Sequence, residues 1–246
     1  MPRDILAVPP VPADQRVPYG DDPSQFLDLF NVQGKPRGAA AFIHGGFWRA
    51  KYDLTHASHL CAGLARAGIA TASLEYRRSG NGGGWPATFD DLKAALTAAR
   101  QHLPSDPVVL GHSAGGHLAL RLASAKVAMK GAIGLAPCAD LQMAYHLHLS
   151  NDAVVEFLGG TPATAPGQYS AADAKLHPAQ LPRILIHGTA DDVVPIALSQ
   201  SFVSARAKDT PKPELIELAG TDHFALIDPE ADAFKTVLSS VERLFR

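Results

Sequence analysis

Ser113 lies in VVLGHSAGGHLAL (108–120), between a β-branched apolar run and a helical pattern, with Gly111 and Gly115 two positions to either side. A serine on so tight a strand-to-helix turn is lifted above the end of a sheet, and only glycine-sized neighbours let the backbone pass itself there. A lone hydroxyl is a poor nucleophile, so this placement is useful only if a base takes its proton and a carboxylate orients that base. Both residue types follow. HGTADDVVP (187–195) carries Asp191 and Asp192, and AGTDHF (219–224) carries His223. Serine, acid and histidine, each after its own strand, is the chain order found where the serine sits on a nucleophile elbow.

A tetrahedral intermediate also needs hydrogen-bond donors for its oxyanion. HGGFW (44–48) ends an apolar run, and its paired glycines let backbone N–H groups turn toward a reacting carbonyl. The first N–H of the helix after Ser113, that of Ala114, is a further donor. Trp48 follows this loop and Trp85 sits in the glycine-rich NGGGWP (81–86); aromatics on loops at this sheet edge are expected to line a substrate pocket.

Several neighbours have plainer roles. One of Asp191 and Asp192 is expected to be a solvated carboxylate or helix cap, and Asp140, after the preceding strand, is an outlying alternative for the acid. His44 is expected to pin the glycine loop, and His112 and His117 to pack. His56 with His59, and His146 with His148, have spacings found in metal sites, but neither pair has the clustered carboxylates or cysteines a closed site needs. The chemistry calls for no metal and no cofactor.

These loops must be held by a frame. QFLDLFN (25–31) reads as a short edge strand, and AAAFIH (39–44), IATASLE (69–75), VVLG (108–111), GAIGLA (131–136), RILIH (183–187) and ELIEL (214–218) as further strands. Between them lie a helix capped by Asp53 and closed by Gly68, helices over 86–103 and 114–124, and helices beginning near Pro195 and Ala231. Strands joined through helices imply an α/β fold, a mostly parallel central sheet with helices on both faces. The connection 138–182 is long and has helical pieces around Met143–Leu149 and Ala153–Leu158, which predicts a small lid. Residues 1–24 are proline-rich and predict an extended, non-helical arm. One domain over 1–246 is expected.

With 246 residues, 46% of them hydrophobic and 19% charged, the chain can bury a large core unaided. A net charge of −2 without a basic stripe excludes electrostatic attraction to nucleic acid or anionic lipid. Two cysteines, Cys61 and Cys138, make no disulfide framework. No apolar run is long enough for a signal or a membrane span, so a cytoplasmic protein is expected. Edge strands could support a homodimer.

HGGFW, GHSAGG, HGTADDVVP and TDHF together resemble the α/β-hydrolase superfamily, from Gly38 to the C-terminus. Within it, HGGFW with EYR (75–77) and GHSAGGHLA looks most like small bacterial esterases related to kynurenine formamidase. The resemblance implies the α/β-hydrolase fold, Ser113 as nucleophile, Asp191 as orienting acid, His223 as base, and the N–H groups of Gly46, Phe47 and Ala114 as oxyanion donors. Hormone-sensitive-lipase-type esterases carry a third glycine where this chain has Phe47, whose ring narrows the pocket. The expected activity is cleavage of a small carboxylic ester through an acyl-enzyme. The alternatives are hydrolysis of N-formylkynurenine, peptide cleavage of the prolyl-oligopeptidase type, and a non-catalytic ligand binder on the same fold.

Overall fold

The computed structural model describes residues 4–245. Strands β1 (Gln15–Pro18), β2 (Phe26–Phe30), β3 (Gly38–Ile43), β4 (Ile69–Leu74), β5 (Val108–His112), β6 (Gly131–Leu135), β7 (Arg183–Gly188) and β8 (Glu214–Leu218) form one eight-stranded sheet. Their order is β1-β2-β4-β3-β5-β6-β7-β8. β2 is antiparallel to both of its neighbours, and from β4 to β8 every pairing is parallel. This is the α/β-hydrolase fold.

Two-residue periodicity divides the central strands between two apolar layers. Ala40, Phe42, Leu110, Ile184 and Ile186 face one layer, with Leu60, Cys61 and Leu64 of α1 (Ser58–Arg66) and Val237 and Val241 of α8 (Ala233–Arg243). Ala41, Ile43, Val109 and Leu185 face the other, with Leu92 and Leu96 of α2 (Ala87–Ala99), Leu118 and Leu122 of α3 (Ala114–Leu122), and Leu198 and Phe202 of α7 (Ala197–Ala205). Burial on both faces is why these strands read as continuous apolar runs rather than alternating ones. Leu60 and Leu118 are fully buried, and truncating either to alanine would cost about 2–5 kcal/mol.

Local signals set the element ends. Asp53 accepts from Thr55 N at 2.9 Å and caps a 3-10 turn, Leu54–Ala57, that leads into α1. Gly68, at φ 85°, closes that segment. The helix opened by Pro86 stops at Ala99, short of the expected 103.

The N-terminal segment differs from the expected arm. Ile5–Ala7 is a 3-10 turn capped by Asp4, and β1 joins the sheet through antiparallel pairs such as Arg16 with Asp28. β2 is consequently an inner strand, not the edge. Proline excludes a helix here, but it does not stop an edge strand from pairing on its free side.

The connection 138–182 holds α4 (Leu141–His146), α5 (Ala153–Leu158), α6 (Pro166–Ala172) and a 3-10 turn, Ala174–Leu176. It docks onto the body. Phe157 stacks on Trp48 with centroids 4.7 Å apart, and His117 and Arg121 of α3 donate to the Ala172 and Ala171 carbonyls at 2.9 Å each. Arg49 donates to Glu156 and to the Ser150 and Asn151 carbonyls.

Candidate active site

Ser113 sits between β5 and α3 at φ 57° and ψ −119°, a backbone conformation that L-residues rarely adopt. The fold over-determines it. Its N–H donates to the Leu135 carbonyl at 2.8 Å, and its own carbonyl accepts from Cys138 N at 3.1 Å and His117 N at 3.2 Å. A Cβ on Gly111 would overlap the Gly115 carbonyl, and one on Gly115 would overlap the Ile43 and His44 carbonyls. The glycines flanking the serine are therefore a steric requirement of the crossing.

The loop after β7 carries the candidate acid. Asp191 Oδ1 accepts from Val193 N at 2.9 Å and Val194 N at 2.8 Å, which leaves Oδ2 for His223 Nδ1 at 2.6 Å. His187 also approaches Oδ2, at 3.3 Å, while its Nε2–H donates to the Val194 carbonyl and its Nδ1 accepts from Ser199 Oγ. Burial opposes charge on Asp191, but the hydrogen bonds from His187, His223 and the backbone outweigh it and hold the carboxyl well below the usual carboxylate range. Asp192 is exposed. Asp140 lies after β6, where it caps α4 through Met143 N and binds Lys175 and Ser201. Of the three acids, Asp191 is the one bonded to His223.

With Nδ1 of His223 donating to Asp191, its Nε2 is left free of a proton in the neutral ring. Ser113 and His223 border one cavity of about 180 Å³.

Gly46, Phe47 and Trp48 have φ of 106°, 50° and 59° in succession, a run of positive φ that bends the chain sharply after β3. Gly46 and Phe47 border the same cavity as Ser113. Ala114 is the first residue of α3, where a helix leaves N–H groups unpaired. The loop is fixed from beneath by His44, fully buried, with Nδ1 2.8 Å from the Gly45 carbonyl and Nε2 3.0 Å from Glu75 Oε1. Burial opposes charge on Glu75 too, yet His44, Arg78 and the Tyr76 N–H hold it below its ordinary range.

His112 does more than pack. Its Nε2–H donates to the His223 carbonyl at 3.0 Å, and the two rings lie 4.4 Å apart. Burial, then the neighbouring His223, lower its pKa well below the ordinary histidine value, so it stays neutral. His56 also reaches the cavity, and burial with His44 close by lowers it to about 4.

Two expectations are corrected. Trp48 is 1% exposed and sandwiched against Phe157, with its edge toward His117; Trp85 stacks on Phe89 and borders a separate groove with Gly83 and Phe157. Neither lines the cavity at Ser113, because the left-handed turn at 46–48 carries the Trp48 ring down into the core. None of the residues of the connection 138–182 borders that cavity. Among the described residues, the remaining walls are Leu6, Tyr52, Val193 and Phe224. Leu6 and Tyr52 carried no motif; His56 was visible only as half of a metal-like spacing, and His187 as the first residue of HGTAD.

Among the described residues there is no group of three or more His, Cys, Asp or Glu that could hold a metal ion. No helix there is long and apolar enough to cross a membrane.

A family model described as BD-FAE matches residues 27–205. Esterase LipC of Mycobacterium tuberculosis (strain ATCC 25618 / H37Rv) is 28% identical over 272 residues, covering 93% of this chain and 65% of LipC. Esterase LipQ of the same organism is 26% identical, covering 82% of this chain and 56% of LipQ. The chain thus spans less than two thirds of the length of these relatives. Among solved structures, a truncated form of a carbohydrate esterase from gut microbiota superposes with a TM-score of 0.81 at 23% identity, covering 96% of this chain and 99% of that one. Esterase B from Lactobacillus rhamnosis gives 0.79 at 19% identity, covering 98% and 88%. These two likenesses concern the fold.

Proposed function

The chain belongs to the BD-FAE family, and from that premise we propose that it is a carboxylesterase that cleaves small esters through an acyl-enzyme on Ser113. The observation that carries this is the Asp191–His223 bond, 2.6 Å long, opening with Ser113 onto one small and mostly apolar cavity. In the proposed cycle, His223 Nε2 takes the Ser113 proton as Oγ attacks the ester carbonyl. The N–H groups of Gly46, Phe47 and Ala114 receive the oxyanion, and losing one such donor costs about 10²–10³ in kcat. His223 then protonates the leaving alcohol, and water, deprotonated by the same nitrogen, releases the acid. Asp191 stays ionised throughout and holds the imidazole in its useful tautomer. The likeness to esterases LipC and LipQ supports an ester substrate. The N-formylkynurenine alternative loses its expected ring-binding residues, since Trp48 and Trp85 lie away from the cavity.

Hydrolysis of an aryl acetate and of N-formyl-L-kynurenine, measured side by side, tests this. The ester should be the better substrate by kcat/KM, and Ser113→Ala should remove about six orders of magnitude of turnover. A wild-type rate no higher than that of Ser113→Ala on both compounds would overturn the hydrolase proposal; faster formamide cleavage would replace the ester.

A further inference from the structure

We propose that the N-terminal turn Ile5–Ala7 is a fixed wall of the substrate cavity, and that Leu6 sets the largest apolar substituent the site accepts. This rests on the esterase proposal above. Leu6 borders the same cavity as Ser113 and His223, far from both in sequence, yet half of its surface remains exposed at the mouth. A leucine so placed gains little from folding, whereas it would be covered by an occupant of the cavity.

The turn is held rigidly enough to act as a wall. Ile5, next to Leu6, is 1% exposed and packs in the layer of Leu60, Leu226 and Ile227. Asp4 Oδ1 accepts from Leu6 N at 3.1 Å, and Val8 N donates to the Ile5 carbonyl at 3.3 Å. Further along, Val11 N donates to Ser58 Oγ at 3.1 Å and His59 Nε2 lies 3.4 Å from the Val8 carbonyl, which ties the chain to α1. Ile5 is the anchor and Leu6 the face that the anchor presents.

The chemistry of the opposite walls defines what fits. Phe47, Tyr52, Val193 and Phe224 are apolar or aromatic, and among the described residues no lysine, arginine or carboxylate borders the cavity. The occupant is therefore an uncharged alkyl or aryl group of the ester, in a volume of about 180 Å³. Each methylene buried against such walls changes kcat/KM by about fourfold, and each one that cannot fit reverses that gain.

Two ester series test the proposal, one varying the acyl chain on a fixed aryl alcohol and one varying the alcohol on a fixed acetate, with wild type, Leu6→Ala, Leu6→Trp and Leu147→Ala. Leu147 is exposed on the insertion, away from the cavity. Leu6→Ala should raise the kcat/KM ratio of long to short esters about tenfold in the series whose group lies against Leu6, and Leu6→Trp should lower it by at least as much. Leu147→Ala should leave the ratio where wild type has it. Equal ratios in all four proteins, in both series, would overturn the role of Leu6. Labelling of Ser113 by alkyl phosphonates of matching lengths separates the two proposals. A wild-type serine that no phosphonate labels refutes the hydrolase and this inference with it; one that reacts, with the same length preference in every Leu6 variant, refutes this inference alone.

Discussion

Two buried aspartates follow adjacent parallel strands, and the molecule uses them in opposite ways. Asp140 comes after β6 and Asp191 after β7; both are nearly inaccessible, and in both, burial is outweighed by hydrogen bonds that hold the carboxyl below its usual range. Asp140 gives one oxygen to Met143 N and the other to Lys175 and Ser201, so it ties the start of the insertion to the turn after α6 and to α7. Asp191 gives one oxygen to two backbone N–H groups and the other to His223. Neither depth nor acidity tells the two apart. Their partners do: a lysine makes a static clamp, whereas a histidine can accept and return a proton within a catalytic cycle.

The sharpest way to break this contrast is to neutralise each acid in turn. Asp191→Asn should lower kcat by about 10⁴-fold by removing the acceptor that orients His223, while Asp140→Asn, measured on the same ester, should stay within a few-fold of wild type. Comparable losses in both would erase the distinction. Asp140→Asn should instead cost about 3 kcal/mol of stability, because Lys175 is left partly buried without its counter-charge; denaturant titration of both variants reads this. Thermal unfolding across pH adds a third contrast. Asp173, buried beside Asp140 and Lys175, is raised to about 6, chiefly by burial. Its folded value exceeds the unfolded one, so the native state holds the extra proton and stability falls as pH rises from about 4 to about 6, by at most about 3 kcal/mol. Asp173→Asn should flatten that window. Asp191 has the reverse sign, with its contribution present above the unfolded carboxylate range and lost as pH falls through its lower folded value. The smallest effect belongs to His187→Gln, which weakens one support of Asp191 and should lower kcat about tenfold with KM little changed; an unchanged kcat would make His187 a packing residue only.

Much of the frame was legible in the chain because its cause is local. Strands buried on both faces announce themselves as apolar runs, and the Gly111–Ser113–Gly115 spacing follows from a backbone crossing that excludes any Cβ. What was illegible depends on long-range pairing. Nothing in QRVP shows that it docks antiparallel to β2, and nothing in the composition of 138–182 shows that its Phe157 stacks on Trp48. The fate of Trp48 turned on one torsion: at φ 59° its ring points into the core, although a loop tryptophan beside a glycine pair is as easily placed at the surface. Leu6 lacked any motif because its partners in the cavity are forty or more residues away and assemble only in three dimensions.

The left-handed backbone at Ser113 sets a conflict between durability and usefulness. A non-glycine residue held there costs about 1–3 kcal/mol, so Ser113→Gly should unfold at a higher temperature than the wild type while losing its nucleophile. Under the proposed function, robustness and turnover therefore make opposite demands on the residue at this position.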